Sequence, residues 1–173
     1  VNSGRELDSR LQVMETLLQD EEFTTGFFEG YKMPFAQAFN ALFKVAISSN
    51  DAERLEAGQI ALDILDTMPN HPGGHHYVIH AFDTATLAKG ALETADHYGE
   101  ITPKVPHSSH MMTHTYTRLG AWDKAITWNN ISAGTALELC IDNGVVNTHY
   151  PHAMDYLMFA HLQKGDDAAA AQI

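Results

Sequence analysis

The 173-residue sequence has little of what marks several large classes of protein. It contains one cysteine, Cys140, so no disulfide framework can form within the chain. No apolar run approaches the roughly 20 residues of a membrane-spanning helix. Lys and Arg number 10 against 22 Asp and Glu, and the net charge of −12 argues against binding to nucleic acid or to an anionic membrane. We therefore expect a soluble protein without nucleic-acid or membrane partners, and its compartment, cytoplasmic or periplasmic, stays open.

Strand signals are also scarce, whereas apolar residues recur at helical spacing along the chain. Alternation of β-branched residues is absent, and Gly, Pro and Asn separate the periodic stretches. Short turns between helices imply antiparallel neighbours. The predicted fold class is all-α, with tandem antiparallel helix hairpins and about eight to nine helices. Helices are predicted at about 4–19, 33–48, 51–67, 72–82, 84–99, 106–119, 122–142, 149–163 and 166–173.

The histidine-rich segments of the chain repeat. The stretch HHYVIHAF (75–82) aligns with SHMMTHTY (109–116) at an offset of 34 residues. The stretch that starts at Pro106 aligns with the one that starts at Pro151, at an offset of 45 residues. The aligned pairs are His76 with His110, His80 with His114, His107 with His152, His110 with Asp155, and Gly120 with Gly165. Such a repeat predicts stacked helical units.

The period of 34 residues and the stretch LGAWDKAITWN (119–129) resemble tetratricopeptide repeats. In that family a glycine ends the first helix of a unit, an aromatic residue follows two positions later, and a small residue lies where the two helices cross. Gly120, Trp122 and Ala125 match these roles. The strings HPGGHHYVIHAFD and PHSSHMMTHTYTRLGAWD also resemble a group of uncharacterised bacterial tetratricopeptide-like proteins.

The resemblance covers about residues 33–173 and implies a repeat array there. We expect an N-terminal helical segment at 1–32, followed by the array. The last unit ends in DDAAAAQI without a helix stop signal, so we expect it to be truncated and the sequence to belong to a longer protein. The predicted units are about 33–69, 70–103, 104–148 and 149–173.

Histidine is the residue that the sequence has in excess, with eleven against ten Lys and Arg. On a helix, His107, His110 and His114 fall within an arc of about 60°. His76 and His80, four residues apart, also share a face. Because the first helix of each tetratricopeptide unit lines a concave groove, the resemblance implies that these side chains face one groove. The predicted groove residues are His76, His80, His107, His110, His114, His152 and Asp155.

One interpretation of the groove is a metal site. Imidazole and carboxylate ligands suit Zn, Cu, Ni or Fe, and such ions need three or four of them. A metal-dependent hydrolase is an extension of this hypothesis, although HYVIH has Tyr77 where a metalloprotease helix has its general-base glutamate. A mechanism in which the metal activates water without a general-base side chain stays open. The preferred single site combines His110 and His114 with His76 or His80 on one side and with His152 or Asp155 on the other.

Two interpretations need no metal. The groove could bind a peptide or a small anionic ligand through its histidines, as a binding module. Alternatively the histidines could form a structural hydrogen-bonded network that connects the first helices, in which every member must have a partner. The sequence does not decide between these hypotheses. It does not determine the oligomeric state either.

Overall fold

The computed structural model describes residues 50–143 and 147–173, and every regular element in these two ranges is helical. The all-α class is thereby confirmed for this part of the chain. The helices predicted at 4–19 and 33–48, and the boundary predicted at residue 32, lie outside the described residues. The described elements are α1 (Asp51–Thr67), α2 (Pro72–Ala81), a 3-10 helix (Ala88–Ala91), α3 (Leu92–Ile101), α4 (Pro106–Leu119), α5 (Trp122–Asn143), α6 (His149–Gln163) and α7 (Asp167–Ala170).

Local sequence explains where several of these helices begin and end. The side chain of Asn50 accepts a hydrogen bond from the Ala52 N–H and so caps α1. His71 caps α2 in the same way, because its Nδ1 accepts from the Gly74 N–H at 3.0 Å. Helices α2 and α4 both start with proline, which suits the first helical position because its missing N–H has no helical partner there. Gly120 ends α4 in the left-handed conformation, at φ 69°.

Two of the predicted helices are shorter than expected. The helix predicted at 84–99 begins only at Leu92, after a turn and the 3-10 helix. In that turn the Thr84 hydroxyl accepts from the Leu87 N–H, and the Thr86 hydroxyl donates to the Asp51 carboxylate at 2.7 Å. These side-chain bonds compete with helical backbone pairing. The helix predicted at 166–173 is reduced to the four residues of α7.

Helix α4 lies at the centre of the described packing. Each α-helix contacts the next one along the chain, and α4 also contacts α2 and α6. Met111, Met112 and Tyr116 on α4 are at most 1% exposed and pack with Ile79 and Ala160 from those two helices. Burial of each large apolar side chain contributes about 1.5–3 kcal/mol. The central position of α4 places its histidines next to α2 and α6.

A close approach of helices α3, α4 and α5 depends on Gly99. A Cβ atom added at this position would overlap the ring of Trp128 and lie 2.8 Å from Cε of Met112. The missing side chain therefore lets the indole pack directly on the backbone of α3. Within the described residues, no helix is both long and apolar enough to cross a membrane.

Candidate metal centre

Six histidines gather into two groups of three. We call His110, His114 and His152 cluster 1, and His76, His80 and His107 cluster 2. Within each cluster, one ring nitrogen from each residue lies within 4.8 Å of the other two. An ion bound tetrahedrally at about 2.0–2.1 Å separates its nitrogen ligands by about 3.4 Å, so small side-chain adjustments would close either cluster around an ion.

Both clusters are built in the same way from helix geometry. Two histidines four residues apart share one face of a helix, and the third comes from the first turn of another helix. In cluster 1 the pair is on α4, and the ring centroid of His152, from α6, lies 4.3 Å from that of His110. In cluster 2 the pair is on α2, and the centroid of His107, from α4, lies 5.1 Å from that of His76.

The predicted groove residues are thus divided between two sites, where one preferred site was expected. His110 and His114 are joined by His152, which was predicted for one side of the site, but not by His76 or His80, which were predicted for the other. His76 and His80 lie instead with His107. Asp155 is exposed and belongs to neither cluster.

His110 is the most deeply buried member of cluster 1, at 1% exposure. Its Nδ1 lies 2.8 Å from Oδ1 of Asn129. The amide of Asn129 donates through Nδ2 to the Ala125 carbonyl at 3.0 Å, which fixes Oδ1 as the atom facing the histidine. Since Oδ1 can only accept, this network assigns the proton to Nδ1 of His110 and leaves a lone pair on Nε2.

His114 is oriented by a charged partner. Its Nδ1 lies 3.0 Å from Oδ2 of Asp83, whose other oxygen accepts from Nε of Arg118 at 2.7 Å. Burial opposes ionisation of Asp83, but the hydrogen bonds from His114 and Arg118 outweigh it and lower the pKa of Asp83 to about 2. The carboxylate therefore accepts from Nδ1 of His114. The hydroxyl of Tyr156 lies 3.3 Å from the same nitrogen.

The two Nε2 atoms of His110 and His114 face each other at 3.1 Å. In both rings the Nδ1 proton is donated to an oxygen atom, of Asn129 for His110 and of Asp83 for His114. If both rings are neutral, each Nε2 therefore carries a lone pair, and the two lone pairs face each other. Either a proton or a metal ion is needed between them. Burial, together with repulsion from His114 and His152, lowers the pKa of His110 to about 3, which keeps this ring neutral near pH 7. A ring oriented through Nδ1, with Nε2 free, is the usual arrangement of a metal-binding histidine.

Cluster 2 has neutral rings but, within the part of the chain that the structure describes, no comparable oxygen partners. Burial and repulsion from neighbouring histidines lower the pKa of His76 to about 3, and burial with repulsion from His149 lowers that of His107 to about 4. Nδ1 of His107 is buried and has no hydrogen-bond partner among the described residues. Among residues 50–143 and 147–173, no hydrogen bond reaches a ring nitrogen of His76 or His80. Neutral imidazoles are the form that a metal requires.

The two clusters adjoin one another. The ring centroids of His80 and His114 are 6.2 Å apart, and those of His107 and His110 are 6.5 Å apart. The ring of His149 lies next to cluster 2, with its centroid 4.9 Å from that of His107. A pocket of about 310 Å³ lies beside cluster 1 and is lined by Asp83, His114, Thr117, Arg118, Asp155, Tyr156 and Phe159.

The sequence analysis missed the partners that orient cluster 1. Asp83 follows α2 directly, three residues after His80, so its position beside a histidine helix was a usable signal. Asn129 lies in the middle of α5 and is fully buried, and no motif in the sequence indicates that role. Tyr156 follows the cluster histidine of α6 by four residues.

Other histidines have structural roles. His71 caps α2, as described above. His75 lies within α2, and its Nε2 is 2.8 Å from the Pro69 carbonyl oxygen. The side chain of His97 is 47% exposed and lies outside both clusters.

Comparison with protein-family models, curated proteins and solved structures found no match to this chain. The protein is therefore characterised by two features of its own structure. All regular elements of the described residues are helices, and these helices bring two three-histidine clusters together.

Proposed function

We propose that the protein binds a transition-metal ion through His110, His114 and His152. The observation that supports this most directly is the pair of opposed Nε2 atoms, 3.1 Å apart, on rings whose Nδ1 atoms are occupied by Asn129 and Asp83. The spacing is close to the roughly 3.4 Å between nitrogens of a tetrahedral site. His152 supplies the third ligand from α6.

The ligand set favours borderline metals. Three neutral imidazoles suit Zn, Cu, Ni and Fe, and divalent affinity for such sites rises towards Cu, with Zn below it. The net charge of −12 and the nearby Asp83 carboxylate favour cation binding. We expect Cu²⁺ and Zn²⁺ to bind most tightly among the divalent ions.

We place this site in a tetratricopeptide-like array whose first helices α2, α4 and α6 line a groove. Support comes from the contacts of α4 with α2 and α6 and from the matching ends of two helices. Gly120 after α4 and Gly165 after α6 both have positive φ, at 69° and 74°, and the sequence alignment pairs them. Equivalent helices would then present equivalent faces, which explains why the two clusters have the same construction.

A metal-dependent hydrolase is a second candidate function. Three protein ligands leave a fourth position for water, and a pocket of about 310 Å³ opens beside His114. Zinc lowers the pKa of bound water to about 7, so no separate general base is required. Binding of a peptide or small anion in a metal-free groove is the competing hypothesis.

The test is metal binding by the purified, untagged chain. Elemental analysis before and after chelation, followed by Co²⁺ titration, should give a bound ion with the visible absorption of tetrahedral Co²⁺. His110→Ala should remove most of the absorption that the first equivalent of Co²⁺ produces. His97→Ala removes an exposed histidine outside both clusters and should leave it unchanged.

No bound metal and no uptake of Zn²⁺, Cu²⁺, Ni²⁺, Fe²⁺ or Co²⁺ would overturn the proposal. The opposed nitrogens of His110 and His114 would then share a proton in a structural network. In that case His110→Ala should lower the unfolding temperature of the metal-free chain, with no metal able to restore it.

A further inference from the structure

Cluster 2 repeats the design of cluster 1 at the preceding pair of helices. In each cluster the third histidine directly follows the proline that begins or lies in the first turn of its helix, in the pairs Pro106–His107 and Pro151–His152. The ring centroids of the i, i+4 pairs are 4.6 Å apart for His76 and His80 and 4.9 Å apart for His110 and His114. The two groups therefore present three imidazoles in the same relation to their helices.

Ring nitrogens of cluster 2 have no hydrogen-bond partner within the described residues, and a bound metal ion would give them a partner. Nδ1 of His107 is buried and has no hydrogen-bond partner among the described residues, which is unfavourable for a polar group taken out of water. The rings of His76 and His80 have no hydrogen-bond partner in the described parts of the chain. A purely structural network would pair these atoms with one another. A metal ion bound by the three rings would use one lone pair from each.

We infer that His76, His80 and His107 bind a second transition-metal ion, and that the two clusters form one two-ion centre that fills in a fixed order. This inference rests on the proposed function of cluster 1. The ion at cluster 1 binds first and the ion at cluster 2 second.

The order follows from the partners of the rings. Asn129 and Asp83 orient His110 and His114 before any ion arrives. Loss of such partners typically lowers metal affinity 10–100-fold. Residues 50–143 and 147–173 supply no such partners to cluster 2, so its affinity should be about 10–100-fold lower. Repulsion from the ion already bound at cluster 1 lowers the affinity of cluster 2 further.

The closeness of the clusters makes them one centre. His107 and His110 are three residues apart on α4 but belong to different clusters, and their ring centroids lie 6.5 Å apart. His80 and His114 approach across α2 and α4 at 6.2 Å. Two Cu²⁺ ions bound on either side of these ring pairs should interact magnetically.

The experiment is a titration of the full metal-free chain with Zn²⁺ by calorimetry, and with Cu²⁺ by electron paramagnetic resonance. Wild type should bind two ions in two steps whose dissociation constants differ about 10–100-fold. One equivalent of Cu²⁺ should give an isolated signal, and two equivalents a signal broadened by dipolar interaction. His80→Ala should retain only the tight step and the isolated signal.

The controls separate this inference from the proposed function. His152→Ala should lose the tight step and keep the weak one, and His97→Ala should behave as wild type. His80→Gln, which keeps the size of the side chain, replaces His80→Ala if circular dichroism shows that the alanine variant is unfolded.

Four results would overturn the inference. A single ion in wild type, with His80→Ala unchanged, would leave cluster 1 as the only site and the proposed function intact. Two ions in the His80 variants, or two Cu²⁺ ions without magnetic interaction, would reject a two-ion centre at these residues. Binding of no ion would reject both proposals.

Discussion

At the residue scale, the orientation of His110 depends on Asn129. Asn129 is fully buried, accepts from Nδ1 of His110 at 2.8 Å and donates to the Ala125 carbonyl. Its replacement by alanine would leave the buried N–H of His110 without an acceptor. We predict that Asn129→Ala lowers the free energy of unfolding of the metal-free chain by about 1–3 kcal/mol, measured by urea denaturation.

Asn130 offers a matched control for this change. Its amide donates to the Ile126 carbonyl in the same i to i−4 pattern, but it is exposed. Asn130→Ala should change the free energy of unfolding by no more than about 0.5 kcal/mol. Equal effects of the two variants would mean that the contact with His110 contributes nothing particular.

Asp83 acts on His114 through charge as well as through a hydrogen bond. Asp83→Asn keeps an oxygen for Nδ1 of His114 but removes the carboxylate that also binds Arg118. We predict a loss of affinity at cluster 1 of about 10-fold or more, measured as the tight step of a Zn²⁺ titration. Asp96→Asn, which breaks a comparable ion pair with Lys124, should leave that step unchanged.

The lowered pKa values of the cluster histidines set the pH dependence of folding. The pKa is lowered to about 3 for His76 and His110 and to about 4 for His107, whereas in the unfolded chain it is about 6.5. Between these limits the unfolded chain binds more protons, so stability is complete above pH 6.5 and decreases as the pH falls.

We predict that the metal-free chain loses stability from pH 6.5 down to about pH 4. The slope is up to about 1.4 kcal/mol per pH unit for each histidine that stays neutral in the folded state. Urea denaturation at several pH values measures it, and His76→Gln should reduce the slope. A flat profile over this range would contradict burial of neutral rings.

At the element scale, the contact between α3 and α5 requires the absence of a side chain at Gly99. A Cβ atom there would overlap Trp128, and the surrounding interior is too closely packed to yield easily. We predict that Gly99→Ala lowers the free energy of unfolding by about 1–3 kcal/mol, despite the higher helix propensity of alanine.

Gly134 in α5 is the control for helix propensity. It is exposed, and a Cβ atom added there meets no atom within 4 Å. Gly134→Ala should therefore stabilise the chain by up to about 1 kcal/mol. Thermal unfolding of both variants, followed by circular dichroism at 222 nm, should give shifts of opposite sign. Shifts of the same sign would show that packing at Gly99 is not the controlling factor.

At the scale of the whole molecule, metal binding should stabilise the packing of three helices at once. The two clusters take their histidines from α2, α4 and α6, which are separated along the chain by other helices. An ion that binds only the folded chain adds about 2.7 kcal/mol to the free energy of unfolding when its free concentration is 100 times its dissociation constant.

We therefore predict that Zn²⁺ raises the unfolding temperature and that chelation reverses the rise. Differential scanning calorimetry of wild type and of His110→Ala, each with and without Zn²⁺, measures the effect. The rise should be smaller in His110→Ala, which loses cluster 1 and keeps cluster 2. An equal rise in both proteins would assign the stabilisation to other residues.

Much of the architecture was predictable because it depends on local sequence. The bounds of α4 and α6 match the predictions, since proline, glycine and apolar periodicity act within a few residues of the helix ends. The late start of α3 was not predictable in the same way. The hydroxyl of Thr86 contacts Asp51, 35 residues earlier, and no local pattern contains that contact.

The sequence by itself determined which residue types are available and which of them share a helix face. Spacings of four residues placed His76 with His80 and His110 with His114, because an α-helix has 3.6 residues per turn. Only the tertiary structure decided that six histidines divide into two clusters, and that Asn129 and Asp83 orient one of them. The contacts of Asn129 and Asp83 with these rings join residues 19 and 31 positions apart in the chain, at 2.8 and 3.0 Å. Such distances depend on how whole helices pack.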